Sequence, residues 1–521
     1  MEILDLTAVE LGERIRKREV SAPEALEAVY DACRGRDRNW NAYAAFEIDP
    51  ARTAAQQAQA LLDSGAAGSI LTGVPVGIKD NISARNCLTT CASKILRGYR
   101  APFDATAVRK LKDAGAVPAG TLNMDEFAMG STSETSCYGP VRNPWNTNRV
   151  PGGSSGGAAA AVAARECICA LGSDTGGSVR QPASYCGVTG FKPSYGRVSR
   201  YGLIAYGSSL DQIGPIARDV RDCAALMDII AGPDSADATS VSFPDTGFLN
   251  ALSGDIRGLR VGVPDECFGD GVEEDVGVCV RGFIDELRRA GANIVPLSLP
   301  FIRYAVPTYY ILATAEASSN LSRFDGVKYG YRTENYHTME ELYVRSRSEG
   351  FGKEVQKRIL LGTFVLSSGY YDAYYNKALK LKRTIADGFA AAFRDCDVIA
   401  MPVSPTTAPA LGASLTDPLK MYLSDIFTVP ANLAGLPGIS APCGFDRHGL
   451  PIGAQLLGAV GADATVLNAA YAYQLATDWH TRRPSGNVPG GVEALNASEN
   501  AETLDAPESA ETSGKEASGN A

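Results

Sequence analysis

Between Val150 and Gly190 the chain carries two glycine-serine clusters, Gly152-Gly153-Ser154-Ser155-Gly156-Gly157 and Asp174-Thr175-Gly176-Gly177-Ser178, on either side of an alanine-rich segment and a short apolar run. Glycines at this density let backbone amides approach a ligand closely and adopt φ values closed to other residues. Small hydroxyls held in such loops serve as acceptors, as nucleophiles or as helix caps; Ser154 and Ser155, just ahead of Ala158, suit the capping role. A Walker phosphate loop needs Gly-x-x-x-x-Gly-Lys-Ser/Thr. No lysine follows Gly156-Gly157, which weakens a phosphate cradle.

The flanking sequence sets these loops in an α/β frame. Thr7-Ala8-Val9-Glu10 and Ser21-Ala22-Pro23-Glu24 match the capping box, the second with a proline in the first turn, and predict helices over 8–17 and 22–34. Residues 51–62 continue in helical composition. Leu71 to Asn81 is a short apolar, strand-like run with Lys79 near its end, followed by a helix over 104–114 and a strand over 116–122. Residues 158–165 read as helix and 167–171 as a buried strand leading into Ser173-Asp174-Thr175. A β-α-β unit spans strand 259–264, helix 275–290 and strand 292–297. Long helical patterns cover 308–322 and 352–387, strands recur at 398–401, 438–442 and 452–457, and a helix at 463–477 follows. Strands alternating with helices predict a large sheet covered on both faces.

With 521 residues, 45% hydrophobic and 21% charged, the chain has the composition of an ordinary soluble protein. Its net charge of -10 argues against the basic footprint of a chain that grips nucleic acid by itself, and leaves such contact to a partner. The twelve cysteines include no C-x-x-C, the closest pairs being Cys87/Cys91 and Cys167/Cys169, which predicts reduced and mostly buried thiols in the cytoplasm. The N-terminus lacks an apolar core of the signal-peptide type, and no run approaches the roughly 18 apolar residues of a membrane span. From about Ser485 the composition turns to Gly, Ala, Ser, Glu and Asn, which predicts a disordered acidic tail over 485–521. Residues 1–484 are expected to form a single domain: N-terminal helices over about 5–65, a catalytic core over 66–220, and a remainder over 221–484 that completes the sheet and the substrate pocket.

A serine nucleophile needs a base. Only three histidines exist, His337, His448 and His480, each in a polar setting that predicts a solvated surface role, although triads do assemble from distant positions. No cluster of metal ligands offers an alternative. Lysine is the remaining type of base, usable once burial disfavours its charged form. On position alone Lys79 reads as a strand-end lysine reaching solvent.

Taken together, however, Gly73-Val74-Pro75-Val76-Gly77-Ile78-Lys79-Asp80, Pro151 through Gly157 and Gly172 through Ala183 resemble the amidase signature family throughout, in their order and in the spacing of Ser154 and Ser178. The resemblance implies the amidase signature fold, an α/β architecture with a large mixed central sheet. It also implies a Ser–cis-Ser–Lys triad: Ser178 as nucleophile, Ser154 after a cis peptide bond as proton relay, and neutral Lys79 as base. Amides of Thr175, Gly176, Gly177 and Ser178 would form the oxyanion hole, and Ser155 would support it.

Further stretches, among them Tyr309 through Gly326, Arg345 through Ile359, Ser368 through Tyr375 and Tyr422 through Gly435, are similar to the glutaminase subunits of tRNA-dependent amidotransferases within that family. The resemblance covers residues 3–483. It implies a glutamine pocket in which Arg358 holds the α-carboxylate, Asp425 the α-ammonium and Tyr309 adds a hydroxyl; by themselves Arg358 and Asp425 read as surface charges. Met129 lines that pocket or packs in the core. The implied complex is a heterotrimer with a B subunit, which binds Glu-tRNA(Gln) and uses ATP and Mg, and a small C subunit. No cofactor or metal is expected in this chain. Asp-tRNA(Asn) is a further substrate of such complexes in some bacteria, and a free-standing amidase acting on a small-molecule amide is the alternative.

Overall fold

The strands of this chain are short apolar runs whose neighbouring side chains point to opposite faces. Val398 and Ala400 pack into one hydrophobic cluster and Ile399 and Met401 into another, and Leu456 and Leu457 divide in the same way. The sheet is therefore buried on both sides. In the computed structural model, which describes residues 2–65, 68–244, 247–416 and 418–484, eleven strands join in one sheet. In chain order they are β1 (Tyr43–Ala45), β2 (Pro75–Lys79), β3 (Val117–Leu122), β4 (Cys169–Asp174), β5 (Thr189–Lys192), β6 (Gln212–Ala217), β7 (Arg260–Pro264), β8 (Asn293–Leu297), β9 (Val398–Pro402), β10 (Gly438–Phe445) and β11 (Pro451–Gly458). Their order across the sheet is β1-β3-β2-β4-β6-β5-β10-β11-β9-β7-β8. Parallel pairs lie toward the two ends, β3-β2-β4 and β9-β7-β8, with antiparallel pairing between them. This is the mixed α/β sheet the sequence predicts.

One face is covered by helices Ala22–Arg36, Thr106–Asp113, Val220–Ile230, Glu274–Arg289 and Asp463–Ala476 through residues such as Val29, Leu111, Leu226, Phe283 and Val466. The other carries Ala305–Asn320, Lys353–Leu366 and Lys377–Ala392 through Leu312, Val355 and Phe389, and the alanine helix Gly156–Ala163 packs in a separate cluster with Leu122, Ala170 and Ile216 of β3, β4 and β6. Both predicted capping boxes are formed, by Thr7 with Glu10 and by Ser21 with Glu24. The predicted β-α-β unit is present, β7 and β8 pairing in parallel around helix Glu274–Arg289.

Three expectations need correction. The helical pattern over 352–387 is broken: helix Lys353–Leu366 ends at Ser367, which is extended (ψ 150), and a π-helical turn at Tyr371–Asn376 precedes Lys377–Ala392. Serine competes with the helix for its own backbone bonds, and Ser367-Ser368-Gly369 supplies the break. Strands β5 and β6 are absent from the sequence reading because Gly190, Gly214 and Pro215 interrupt the apolar runs, although Pro215 pairs with Leu171. His480 is half-buried rather than solvated, with its Nδ1 buried and unpartnered, and burial holds its pKa below the ordinary histidine value; His337 and His448 are exposed.

All twelve cysteines are free thiols, eight of them buried. Among the described residues no helix is long and apolar enough to cross a membrane. The tail expected to be disordered from 485 onward lies outside the described residues.

Candidate active site

Strands β2 and β4 run in parallel, Ile78 pairing with Leu171, so their C-terminal ends open on the same edge of the sheet. Such edges are where open α/β sheets bind ligands. Lys79 is the last residue of β2, and Asp174, the last of β4, leads straight into the Thr175–Ser178 loop. The Lys79 side chain does not reach solvent; it is fully buried. Its Nζ lies 2.7 Å from Ser154 Oγ, 2.9 Å from Ser173 Oγ and 3.3 Å from the Ser173 carbonyl oxygen. Burial pushes its pKa down to about 7 against the pull of the Asp125 and Asp174 carboxylates. A neutral amine is thus accessible near pH 7, as a lysine base requires.

The Gly153–Ser154 peptide is cis. The Gly153 amide donates to Gln181 Oε1 (2.9 Å), and the Ser154 carbonyl accepts from the Asp125 amide (3.3 Å). Ser155 occupies the N-cap position of helix Gly156–Ala163 without a side-chain capping bond. Its Oγ instead donates to the Ser173 carbonyl (3.2 Å) and accepts from the Ser173 amide (3.3 Å), while its own amide donates to the Ser178 carbonyl (3.1 Å). The capping reading of this serine therefore fails. Ser155 clamps the end of β4 to the second glycine-serine loop.

That loop is held from inside by Asp174. Its carboxylate accepts from the Gly177 amide (2.8 Å) and the Val179 amide (3.1 Å), and forms a fully buried two-point ion pair with Arg180 (both 3.1 Å). Burial would raise this carboxyl, but the adjoining guanidinium holds it well below the usual carboxylate range. Arg180 in turn donates to Gln455 and Asn432. Helix Arg180–Cys186 then carries the chain away from Ser178 and stops at left-handed Gly187.

Of the four amides expected in the oxyanion hole, that of Gly177 is committed to Asp174. The amides of Thr175, Gly176 and Ser178 have no acceptor among the described residues. Gly177 has φ +129, and a Cβ there would fall 2.3 Å from Thr428 Oγ1; a Cβ on Gly176 would fall 2.7 Å from the Tyr309 ring. No other residue type fits at either place. Preorganised donors of this kind are typically worth about 3–4 kcal/mol each toward a developing oxyanion.

Tyr309, on helix Ala305–Asn320, therefore touches the nucleophile loop directly. Arg358 and Asp425 are not surface charges, being 3% and 6% exposed. Arg358 donates from Nε to Glu354 (2.8 Å) and from Nη1 to the Tyr206 hydroxyl (2.6 Å). Its Nη2 has no acceptor among the described residues. Asp425 accepts from Ser131 Oγ (2.6 Å); burial pushes its pKa up to about 7 despite that bond and the positive charge of Arg358. Met129 is fully buried in the apolar cluster that also contains Tyr309, Tyr206 and Phe427.

The structure adds residues that the sequence did not single out: Ser173 and Asn81 around the lysine, Asp125 and Gln181 around the cis peptide, Ser131 on Asp425, and Asp174 with Arg180 under the nucleophile loop. Ser173, Asp174 and Arg180 stand inside the same glycine-rich motif as Ser178. A buried acidic-basic pair there was the available signal.

A buried lysine within reach of a serine on a cis bond, at the strand ends that also carry a second serine loop, belongs to enzymes that cleave amides through serine without histidine. The chain is a member of the amidase family: the family model described as Amidase matches residues 24–467. The A subunit of the glutamyl-tRNA(Gln) amidotransferase of Agathobacter rectalis is 54% identical over 474 residues, covering 91% of this chain and 94% of that relative. The crystal structure of the corresponding A subunit from Thermotoga maritima superimposes with a TM-score of 0.75 at 41% identity, over 93% of this chain and 98% of that one. A 6-aminohexanoate cyclic dimer hydrolase complexed with substrate gives a TM-score of 0.80 at 27% identity, over 93% and 99%.

Proposed function

We propose that this chain is the glutamine-hydrolysing subunit of a tRNA-dependent amidotransferase, releasing the ammonia that converts Glu-tRNA(Gln) to Gln-tRNA(Gln) in the cytoplasm. The observation that carries this reading is the buried cation and buried anion, Arg358 and Asp425, gathered with Tyr309 beside the Ser178 loop. Free glutamine presents one α-carboxylate and one α-ammonium, and a selective pocket must answer both. The guanidinium fork suits the carboxylate, and ionised Asp425 suits the ammonium. The names and identities of the relatives support the same reading.

In this reading Ser178 Oγ attacks the side-chain carboxamide carbon while its proton passes through Ser154 to neutral Lys79. The oxyanion is held by the free amides of Thr175, Gly176 and Ser178. Collapse breaks the C–N bond, and the proton from Lys79 returns through Ser154 to the departing ammonia. Water then attacks the acyl-enzyme along the same proton path and releases glutamate. Partner chains, expected as B and C subunits, bind the tRNA and perform the ATP- and Mg-dependent activation of glutamate; the net charge of -10 suits a chain that leaves tRNA to others.

The test is co-expression with B and C subunits, co-purification, and a glutamine-dependent Glu-tRNA amidation assay. Efficient turnover of unrelated amides by the lone chain, without preference for glutamine, would instead support a free-standing amidase. Within the pocket, Arg358→Lys is expected to raise the glutamine KM about tenfold or more with little change in kcat, because a point charge cannot reproduce a fork. An unchanged KM would remove Arg358 from carboxylate binding.

A further inference from the structure

Antiparallel pairing of β4 with β6 sets Asp174 opposite Gln212, which brings Asp211 alongside Thr175 just beyond the paired ends. Asp211 is 2% exposed and pairs with no cation among the described residues; its partners are hydrogen-bond donors. Its Oδ1 accepts from Thr175 Oγ1 (2.6 Å), and its two oxygens accept from the amides of Tyr206 (2.9 Å) and Gly207 (3.1 Å). One carboxylate thus fixes both the first residue of the nucleophile loop and the backbone of Tyr206.

Tyr206 is 1% exposed, and its hydroxyl accepts from Arg358 Nη1 at 2.6 Å. The guanidinium carbon also lies 5.6 Å from the centre of the Tyr206 ring and 5.4 Å from that of Tyr310. Both separations are in cation–π range. With Nε bound to Glu354 and Nη1 to Tyr206, the rotation of the guanidinium plane is determined, and Nη2 is the nitrogen left to meet a ligand.

We propose that Tyr206 is a positioning residue for recognition of the substrate α-carboxylate, orienting Arg358 through its hydroxyl, and that Asp211 locks this element to the oxyanion loop through Thr175. The inference rests on the glutamine reading above and deepens it. The carboxylate grip and the oxyanion hole are then one rigid unit, so a substrate held by Arg358 is delivered in register with the amides that stabilise its transition state.

The experiment compares glutamine with its α-carboxamide analogue, which keeps the reacting side chain but lacks the carboxylate. Tyr206→Phe removes one hydroxyl and keeps the ring. A bond to a charged group of this kind corresponds to roughly a ten- to hundredfold effect. In the full-length protein, with its partner chains where they co-purify, Tyr206→Phe should raise the glutamine KM by about that factor, change kcat far less, and narrow the preference for glutamine over the analogue. In an Arg358→Lys background the same substitution should add little, since it acts through Arg358. Equal losses on both substrates, or full additivity with Arg358→Lys, would mean a merely structural role and would overturn the proposal. If the wild-type protein turns over both amides alike, the glutamine reading itself fails, and this inference with it. Asp211→Asn, which keeps the shape, is expected to lower kcat on both substrates; an unchanged kcat would overturn the link to the oxyanion loop.

Discussion

Ser178→Ala is expected to reduce glutamine hydrolysis by about five to six orders of magnitude, the scale seen when a serine nucleophile acting in a concerted set is removed. The fold should be unaffected, because the interactions that hold this loop use the backbone of residues 155 and 178 and the side chain of Asp174, none of which changes. The informative part is rescue. With B and C subunits, ATP and Glu-tRNA present, added ammonium should restore amidation by the Ser178→Ala protein. Loss of both glutamine- and ammonium-driven amidation would contradict the division of labour proposed here. An unaltered thermal transition would separate lost chemistry from lost structure.

Lys79→Ala is expected to be severely damaging but less so than Ser178→Ala, at roughly two to four orders of magnitude, the usual worth of a positioned general base. No histidine stands near enough to replace it: His337 and His448 are exposed, and His480 is grouped with Trp145, Cys186 and Arg218 behind helix Arg180–Cys186. The wild-type pH profile carries the same information. Lys79 acts as a base in its neutral form, and burial sets its pKa near 7. Acidification through 7 therefore protonates it, and kcat/KM should fall about tenfold per pH unit below that point. Asp425, also held near 7 by burial, must be ionised to bind an ammonium. Its protonation adds to the same acid limb for glutamine only. An amide without an α-ammonium should show the single, shallower limb of Lys79, and a flat profile from pH 5 to 8 for that amide would remove Lys79 as the base.

The parts of this site that act through contiguous sequence were legible. Lys79, Ser154 and Ser178 stand in three glycine-rich passages whose order and spacing carry the family resemblance, and the structure brings Lys79 Nζ to 2.7 Å from Ser154. The mixed sheet was legible where strands are unbroken apolar runs. It was hidden at β6, where Gly214 and Pro215 interrupt the pattern yet stay in register with β4. The hidden site residues are those whose role is defined only by tertiary neighbours. Ser131 reads as one hydroxyl among several in Ser131-Thr132-Ser133, and only folding sets it on Asp425, 294 positions away. Tyr206 and Asp211 lie in a loop outside the three glycine-rich motifs, and their meaning comes from Arg358 and Thr175. The helix over 352–387 failed for a local reason, the Ser367-Ser368-Gly369 break, which the apolar periodicity on either side concealed.

The ring of Tyr309 occupies the space that a side chain on Gly176 would need, and Thr428 does the same at Gly177. Two segments far downstream thereby form the outer wall of the nucleophile loop. Substrate choice and reaction chemistry in this enzyme therefore cannot be exchanged as separate parts. Transplanting residues 305–320 or 425–433 from an amidase with another substrate would alter the mould against which Gly176 and Gly177 are shaped. A successful change of specificity would have to carry a matched side chain at 309 and 428, or lose rate along with selectivity.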